Sequence, residues 1–322
     1  MLQLVKDGQR YGAEYRDGLS NHLPMSLIAL QRMGASADQI RAFYTSYVPR
    51  LEVPEPEGKS FTQDNWRIDL GQHKYNLAYR TFFGEELTRL GRRDLLEEYL
   101  PVLMPGIAGG ALHPLIRLAY ALEADLDAEV VESLAALAMA YLEVGQARGG
   151  PPEEPGEGLL RLARTPELTD FEATQRTIFE SMEVVAQIPA FAEFGALPPL
   201  TTLNDVREQA LRIYAGSCRD FTALHLVTGA HALRVLAKAH PEIVAKSLEG
   251  FWRAVGTAYI TIGMPAPQDV TEPVDQDWAT LLQEACQSPD AHVIKFVYTC
   301  HEEALFYKDP RYKTLAAARI GS

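Results

Sequence analysis

The chain has 322 residues, enough for one large core or two intimate ones, and its 47% hydrophobic content excludes global disorder. Acidic residues outnumber basic ones 43 to 30, giving a net charge of −13 with no compensating Lys/Arg run, so nucleic acid and anionic membrane surfaces are disfavoured as partners. The cysteines Cys218, Cys286 and Cys300 have no CxxC spacing and read as reduced and buried. The opening stretch lacks an apolar h-region and no apolar run reaches the ~18 residues of a membrane helix, so the expectation is a soluble cytoplasmic protein.

In chain order, the apolar spacing is helical almost throughout. Residues three and four apart are apolar from Met25 to Met33, and Ser36 with Gln39 has the spacing of a capping box just beyond. "EVPEPEG" (52–58) reads as an extended, exposed loop. Gly91 follows "FFGEELTRL" as a helix stop. Helical spacing resumes at Leu115–Leu122 and Val130–Leu142, and "GQARGGPPEEPGEG" (145–158) reads as a long connection. Leu224–Leu236 and Ile243–Ile262 complete the helical stretches, and alternating strand patterns are essentially missing. The reading is an all-α chain of roughly a dozen helices around a central polar pocket. It forms a single domain over 1–322, with possible halves 1–145 and 159–322.

A helix start built on His and Pro occurs three times, in "NHLPMSLIAL" at 21, "LHPLIRLAY" at 112 and "AHPEIVAKSL" at 239. Proline is inexpensive in the first helical turn, where its missing N–H would be unpaired anyway. That accounts for the prolines but not for the histidines. Familiar catalytic motifs are missing. There is no GxGxxG after a strand, no GxxxxGK[ST] and no GxSxG, and "HEEAL" at 301 lacks the second histidine of HExxH.

The eight histidines carry the remaining signal. In "FTALHLVTGAHALRVLA", His225, Thr228 and His231 follow each other at i+3, which leaves the two imidazoles about 120° apart on an ideal helix. Gly229 between them could permit a bend toward one cavity. In "AHVIKFVYTCHEE", His292 and Lys295 share a face among apolar neighbours. A lysine there is desolvated, and its neutral amine can act as a base or nucleophile, or take up carbon dioxide as a carbamate. His113 begins a polar row with Arg117 and Tyr120, suited to an anionic or phenolic substrate, though Arg117 could equally pair with Glu123 or a neighbouring helix. His22 sits like His113, with Asn21 able to cap its helix. His73 is read as pairing with Asp69, His240 as structural, and His301 as facing away from His292.

That selects His22, His113, His225, His231, His292 and Lys295 as catalytic candidates and candidate ligands of iron, copper or zinc. Arg117, Tyr120 and Thr228 are the candidate substrate contacts. A facial iron triad also needs a carboxylate, which Asp220, Glu123 or a carbamylated Lys295 would supply.

The segments "NHLPMSLIALQRMGAS", "GGALHPLIRLAYALE", "FTALHLVTGAHALRVL" and "DAHVIKFVYTCHEEA" resemble, in order, the signature segments of the questin oxidase-like family across residues 21 to 305. The resemblance implies an oxidoreductase that opens anthraquinone or related polyketide rings by oxygen insertion, described as Baeyer–Villiger-like and NADPH-associated. Ring-cleaving members imply instead a non-haem iron oxygenase with histidine and carboxylated-lysine ligands. Matched residue by residue, it selects the same six positions and leaves out His73, His240 and His301.

The expected function is therefore an oxygenase acting on a small aromatic polyketide- or quinone-like molecule at an iron or other divalent metal. Three rivals remain. One is a metal-independent oxidase using His and Lys bases, another a non-catalytic helical binding protein, and the last a hydrolase with a carbamylated lysine, which the lack of strands disfavours.

Overall fold

Helical periodicity becomes fifteen α-helices and five short 3-10 turns in a computed structural model, which describes every residue except Asp17, Glu57, Glu272 and Ser322. The one sheet among the described residues is a two-stranded antiparallel hairpin, Glu14–Tyr15 with Leu19–Ser20. No described helix is long and apolar enough to cross a membrane.

Local chemistry sets most helix ends. The Ser36 hydroxyl accepts from Gln39 N–H at 3.3 Å while the Gln39 side chain accepts from Ser36 N–H at 2.8 Å, closing the capping box. Gly91 has φ +74°, which breaks the stretch Asn76–Leu103 into two helical runs. The helix expected over Val130–Leu142 runs instead from Asp127 to Met139. It stops because the chain must then cross the turn that precedes His113. A Cβ on Gly109 would lie 1.6 Å from the Ala140 carbonyl oxygen, so that crossing requires glycine. The connection expected over 145–158 ends early, at Pro155, which opens the helix Pro155–Leu162.

Four helices position the site. The His22 helix (Leu23–Arg32) packs on the His292 helix (Ala291–Tyr307), and the His113 helix (His113–Glu123) packs on the His225 helix (Phe221–Ala237). Each pair joins an element before the 145–154 connection to one after it, and the whole is a single helical domain. The His225 helix runs on without the bend expected at Gly229, where the missing side chain makes room for Leu112 and Phe251. All three cysteines are free, but Cys218 is exposed rather than buried, because it lies in the left-handed turn after the helix Leu203–Gly216.

The crossing at Gly109 makes a stability prediction. Gly109→Ala forces a main-chain shift and should cost about 3 kcal/mol, at the upper end of what overpacking costs. Gly84→Ala, in a helix with nothing within 4 Å of the added methyl, should be neutral or stabilising by up to ~1 kcal/mol. Urea denaturation of the two variants checks the contrast.

Candidate metal centre

His22 is the N-cap of its helix. The Asn21 side chain accepts from Leu23 N–H at 3.0 Å and donates to the Gly12 carbonyl at 2.9 Å. The Tyr47 hydroxyl accepts from His22 N–H at 3.1 Å. The backbone is thus held from both sides, and the buried Nε2 of His22 has no hydrogen-bond partner.

His113 is aimed by its own preceding turn. Gly110, Ala111 and Leu112 all have left-handed φ (+55°, +52° and +69°), a costly run for two non-glycine residues. The turn brings the Gly110 carbonyl 2.6 Å from His113 Nδ1, which must therefore carry the proton. Nε2 is left as a buried lone pair with no partner.

His225 projects from the second turn of its helix, and neither of its buried ring nitrogens has a hydrogen bond of normal geometry. Asp220 is no substitute ligand, since its carboxylate caps the helix, accepting from Thr222 N–H at 2.6 Å and Ala223 N–H at 3.2 Å. His292 is held through Nδ1 by Asp290 Oδ1 at 3.2 Å, a histidine–carboxylate pair of the kind that orients metal ligands.

These four rings converge. The His22 and His113 rings stack at 4.7 Å, His22 meets His292 edge-on at 4.6 Å, and His113 lies 4.2 Å from His225. One nitrogen from each falls within 4.8 Å of all the others. Metal–nitrogen bonds of about 2.1 Å place tetrahedral ligand nitrogens ~3.4 Å apart, so the four would draw in by up to ~1.5 Å to hold one ion. Burial, the largest cause, drives His22, His113 and His225 well below the usual imidazole pKa, and the nearby Lys295 charge pushes the same way. Burial lowers His292 too, against the pull of Asp290. Neutral imidazoles with unpartnered lone pairs are what a borderline metal requires, and the donor set fits one.

Lys295 is 1% exposed and close enough for its charge to act on each of the four histidines. Burial pulls its ammonium down to about 7, with Asp290 opposing. Among the described residues no carboxylate side chain joins the cluster itself.

His231 does not join it. Its Nδ1 lies 2.7 Å from Glu303 Oε1, which Arg234 also binds, and its Nε2 lies 3.6 Å from Glu123 Oε2. Tyr298 donates to the same Glu123 oxygen at 2.8 Å. Burial alone would lower this imidazole, but the two carboxylates overcome it and raise it to about 9. The straight helix keeps His231 turned from His225, and Glu123 is occupied there rather than at the four-histidine cluster.

The expected substrate contacts are placed elsewhere as well. Arg117 pairs with the neighbouring helix Asp127–Met139, the alternative expected for it, binding Glu129 through two N–H groups at 3.0 and 2.8 Å, with Glu132 at 3.7 Å. The Tyr120 hydroxyl donates to the Lys295 carbonyl at 3.1 Å, and the Thr228 hydroxyl to the Leu224 and His225 carbonyls at 3.3 Å. His73 pairs with Glu14 at 2.8 Å rather than with Asp69, which takes Lys59 at 2.6 Å. His240 caps the helix Pro241–Thr261, and His301 packs edge-on against Trp278.

The four histidines instead floor a cavity of about 410 Å³. Its walls bring in Tyr15, Tyr47, Phe179 and Phe221, with Arg50 and Arg176 also on its lining. Burial pushes the Tyr47 phenol far above its ordinary pKa, so it stays protonated. None of these wall residues stands out in the sequence, since their relation to the histidines exists only in three dimensions.

A fungal protein from Aspergillus parasiticus, described as "Oxidoreductase AflY", is 28% identical over 134 residues, 38% of this chain. The match spans 27% of that relative's length. The family model described as "Questin oxidase-like" matches residues 19–300, which contain all four converging histidines and Lys295, and the chain belongs to that family.

Proposed function

We propose that this chain is an oxidoreductase that holds a divalent metal, iron, on His22, His113, His225 and His292, and that it oxygenates or cleaves an aromatic polyketide- or quinone-like substrate. The observation that carries this reading is the convergence of four neutral, largely unpartnered imidazoles at the floor of one cavity. Membership of the questin oxidase-like family and likeness to a fungal oxidoreductase support the reaction class. Bound there, iron would supply the one-electron chemistry that lets dioxygen react with an organic molecule.

The chain's own residues do the rest. The Gly110 carbonyl and Asp290 hold the Nδ1 protons of His113 and His292, so that the other ring nitrogens face the cluster. A lysine amine pulled to about 7 is substantially neutral at physiological pH, and as a carbamate Lys295 would add the missing carboxylate-like ligand. The cavity is large enough for a polycyclic aromatic. Tyr15, Tyr47, Phe179 and Phe221 offer ring faces, while Arg50 and Arg176 favour a phenolate or carboxylate. Arg117, Tyr120 and Thr228 act from behind the site, holding its helices rather than the substrate.

NADPH, implied by the resemblance, has no Rossmann-type site among the described residues, where the sheet is a single hairpin. A metal-free variant, in which Lys295 is the base that deprotonates a hydroquinone, draws on the same lowered amine pKa.

Metal analysis of untagged protein after iron loading should give one ion per chain. His113→Ala should drop metal affinity more than ~10-fold, since even the loss of a group that only orients a ligand costs that much. Full turnover of a hydroxylated anthraquinone in strong chelator, with no bound ion, would favour the metal-free variant. Protein equilibrated with 13C-bicarbonate should show a carbamate carbon by NMR that Lys295→Ala abolishes; its absence from the wild-type spectrum would remove the carbamate.

His231→Ala should retain the metal and lose stability by about 3 kcal/mol, because it removes the buried cation that Glu123 and Glu303 share and leaves them only Tyr298 and Arg234. The raised imidazole pKa contributes stability that is complete below pH 6.5 and is lost as pH rises through about 9. Lys295, pulled down to about 7, contributes the opposite slope across the same window, so the gap in denaturation midpoint between wild type and His231→Ala should narrow as pH rises through about 9; a gap that does not change with pH would count against the ion pair.

A further inference from the structure

A substrate that fills the 410 Å³ cavity covers the histidines from the side through which it entered. Dioxygen, the second reactant in the reading above, then needs another way to the same atoms. Behind His113 lies a narrow cavity of about 20 Å³, room for a single water- or dioxygen-sized molecule. It shares Ser20, Gly110 and His113 with the substrate cavity, so the His113 ring is a wall between the two. On its far side it shares Ala13, Glu14 and Met139 with an open cavity of about 490 Å³ that also includes Pro54, His73 and Asn76. The three cavities thus succeed one another from the surface, past Met139, to His113, on the opposite side of the hairpin from Tyr15.

The middle cavity suits an apolar gas better than water. Met25, Pro114, Ala136, Met139 and Ala140 supply much of its surface. Most of the polar side chains there already have partners; the Ser20 hydroxyl is the exception, and the free Nε2 of His113 belongs to the four-histidine cluster. Arg117 is bound by Glu129, Asn21 bridges Gly12 and Leu23, and Glu14 holds His73. A water needs two or more free polar partners to be held, and these groups are committed elsewhere. We propose that the narrow cavity lined by Met25, Ala136, Met139 and Ala140 is a dioxygen passage, which admits the gas to the His113 side of the centre while the aromatic substrate occupies the other. This rests on the oxygenase reading.

Xenon pressurisation of protein crystals tests the passage without any reaction. A xenon atom beside Met25 and Met139 is expected in the wild type, and Ala136→Leu should exclude it. In oxygen-uptake assays with a hydroxylated anthraquinone, Ala136→Leu should raise the KM for dioxygen at least ~3-fold and leave the KM for the anthraquinone unchanged. Met139→Phe plugs the outer end and should do the same, which protects the test if Ala136→Leu fails to fold. No xenon in the wild-type passage, or an unchanged dioxygen KM in a folded plugged variant, overturns the proposal. If the wild type takes up no dioxygen, the oxygenase reading fails, and xenon alone then decides whether the passage exists.

Discussion

Burying several nitrogen bases together with no acid among them is the constraint on which this structure turns. Each of His22, His113, His225 and His292 would gain a proton near neutral pH in water, and Lys295 would hold one firmly. Inside one desolvated volume, each charge opposes the others and none has a carboxylate to neutralise it, apart from Asp290 at the rim. The result is a set of neutral donors with lone pairs and few hydrogen bonds. Left alone, such groups destabilise a fold, because a buried polar atom without a partner loses its hydration for nothing. A positive ion reverses that sign, so the arrangement makes physical sense as a receptacle for a cation.

The neighbouring His231 shows how much the surroundings decide. It is as buried as the other histidines, yet its imidazole is raised because Glu123 and Glu303 flank it and Arg234 completes the group. One cluster is built of bases with free lone pairs, while the other is charge-balanced. They lie on the same helix, with Thr228 between them. Tyr120 links the regions, since its hydroxyl reaches the Lys295 main chain while its ring lies against His231 and Tyr298.

The sequence made the helices legible because core burial imposes a three-and-four spacing that survives almost any side-chain exchange. It also made the histidine segments legible, since His-Pro helix starts and a lysine among Val, Ile and Phe are locally unusual. What spacing could not decide was His225 against His231. They differ in which acids face them, and Glu303 comes from a helix far along the chain. The cavity walls were illegible for a related reason. Tyr47 and Phe179 lie on other elements, and only the folded chain brings them over the histidines. Arg117 misled because a guanidinium in an apolar helix looks the same in sequence whether it awaits a substrate or already holds Glu129.

The turn ahead of His113 has a consequence of its own. Its left-handed run cannot relax toward Ala140, whose carbonyl lies against Gly109. The direction of one ligand lone pair is therefore written into the main chain, independent of the side chains that line the cavity. Two kinds of change are thereby uncoupled in this fold. The cavity walls can be exchanged for side chains of other shape or charge while the imidazole nitrogens beneath them keep their aim, so under the proposed function a change of substrate need not rebuild the centre.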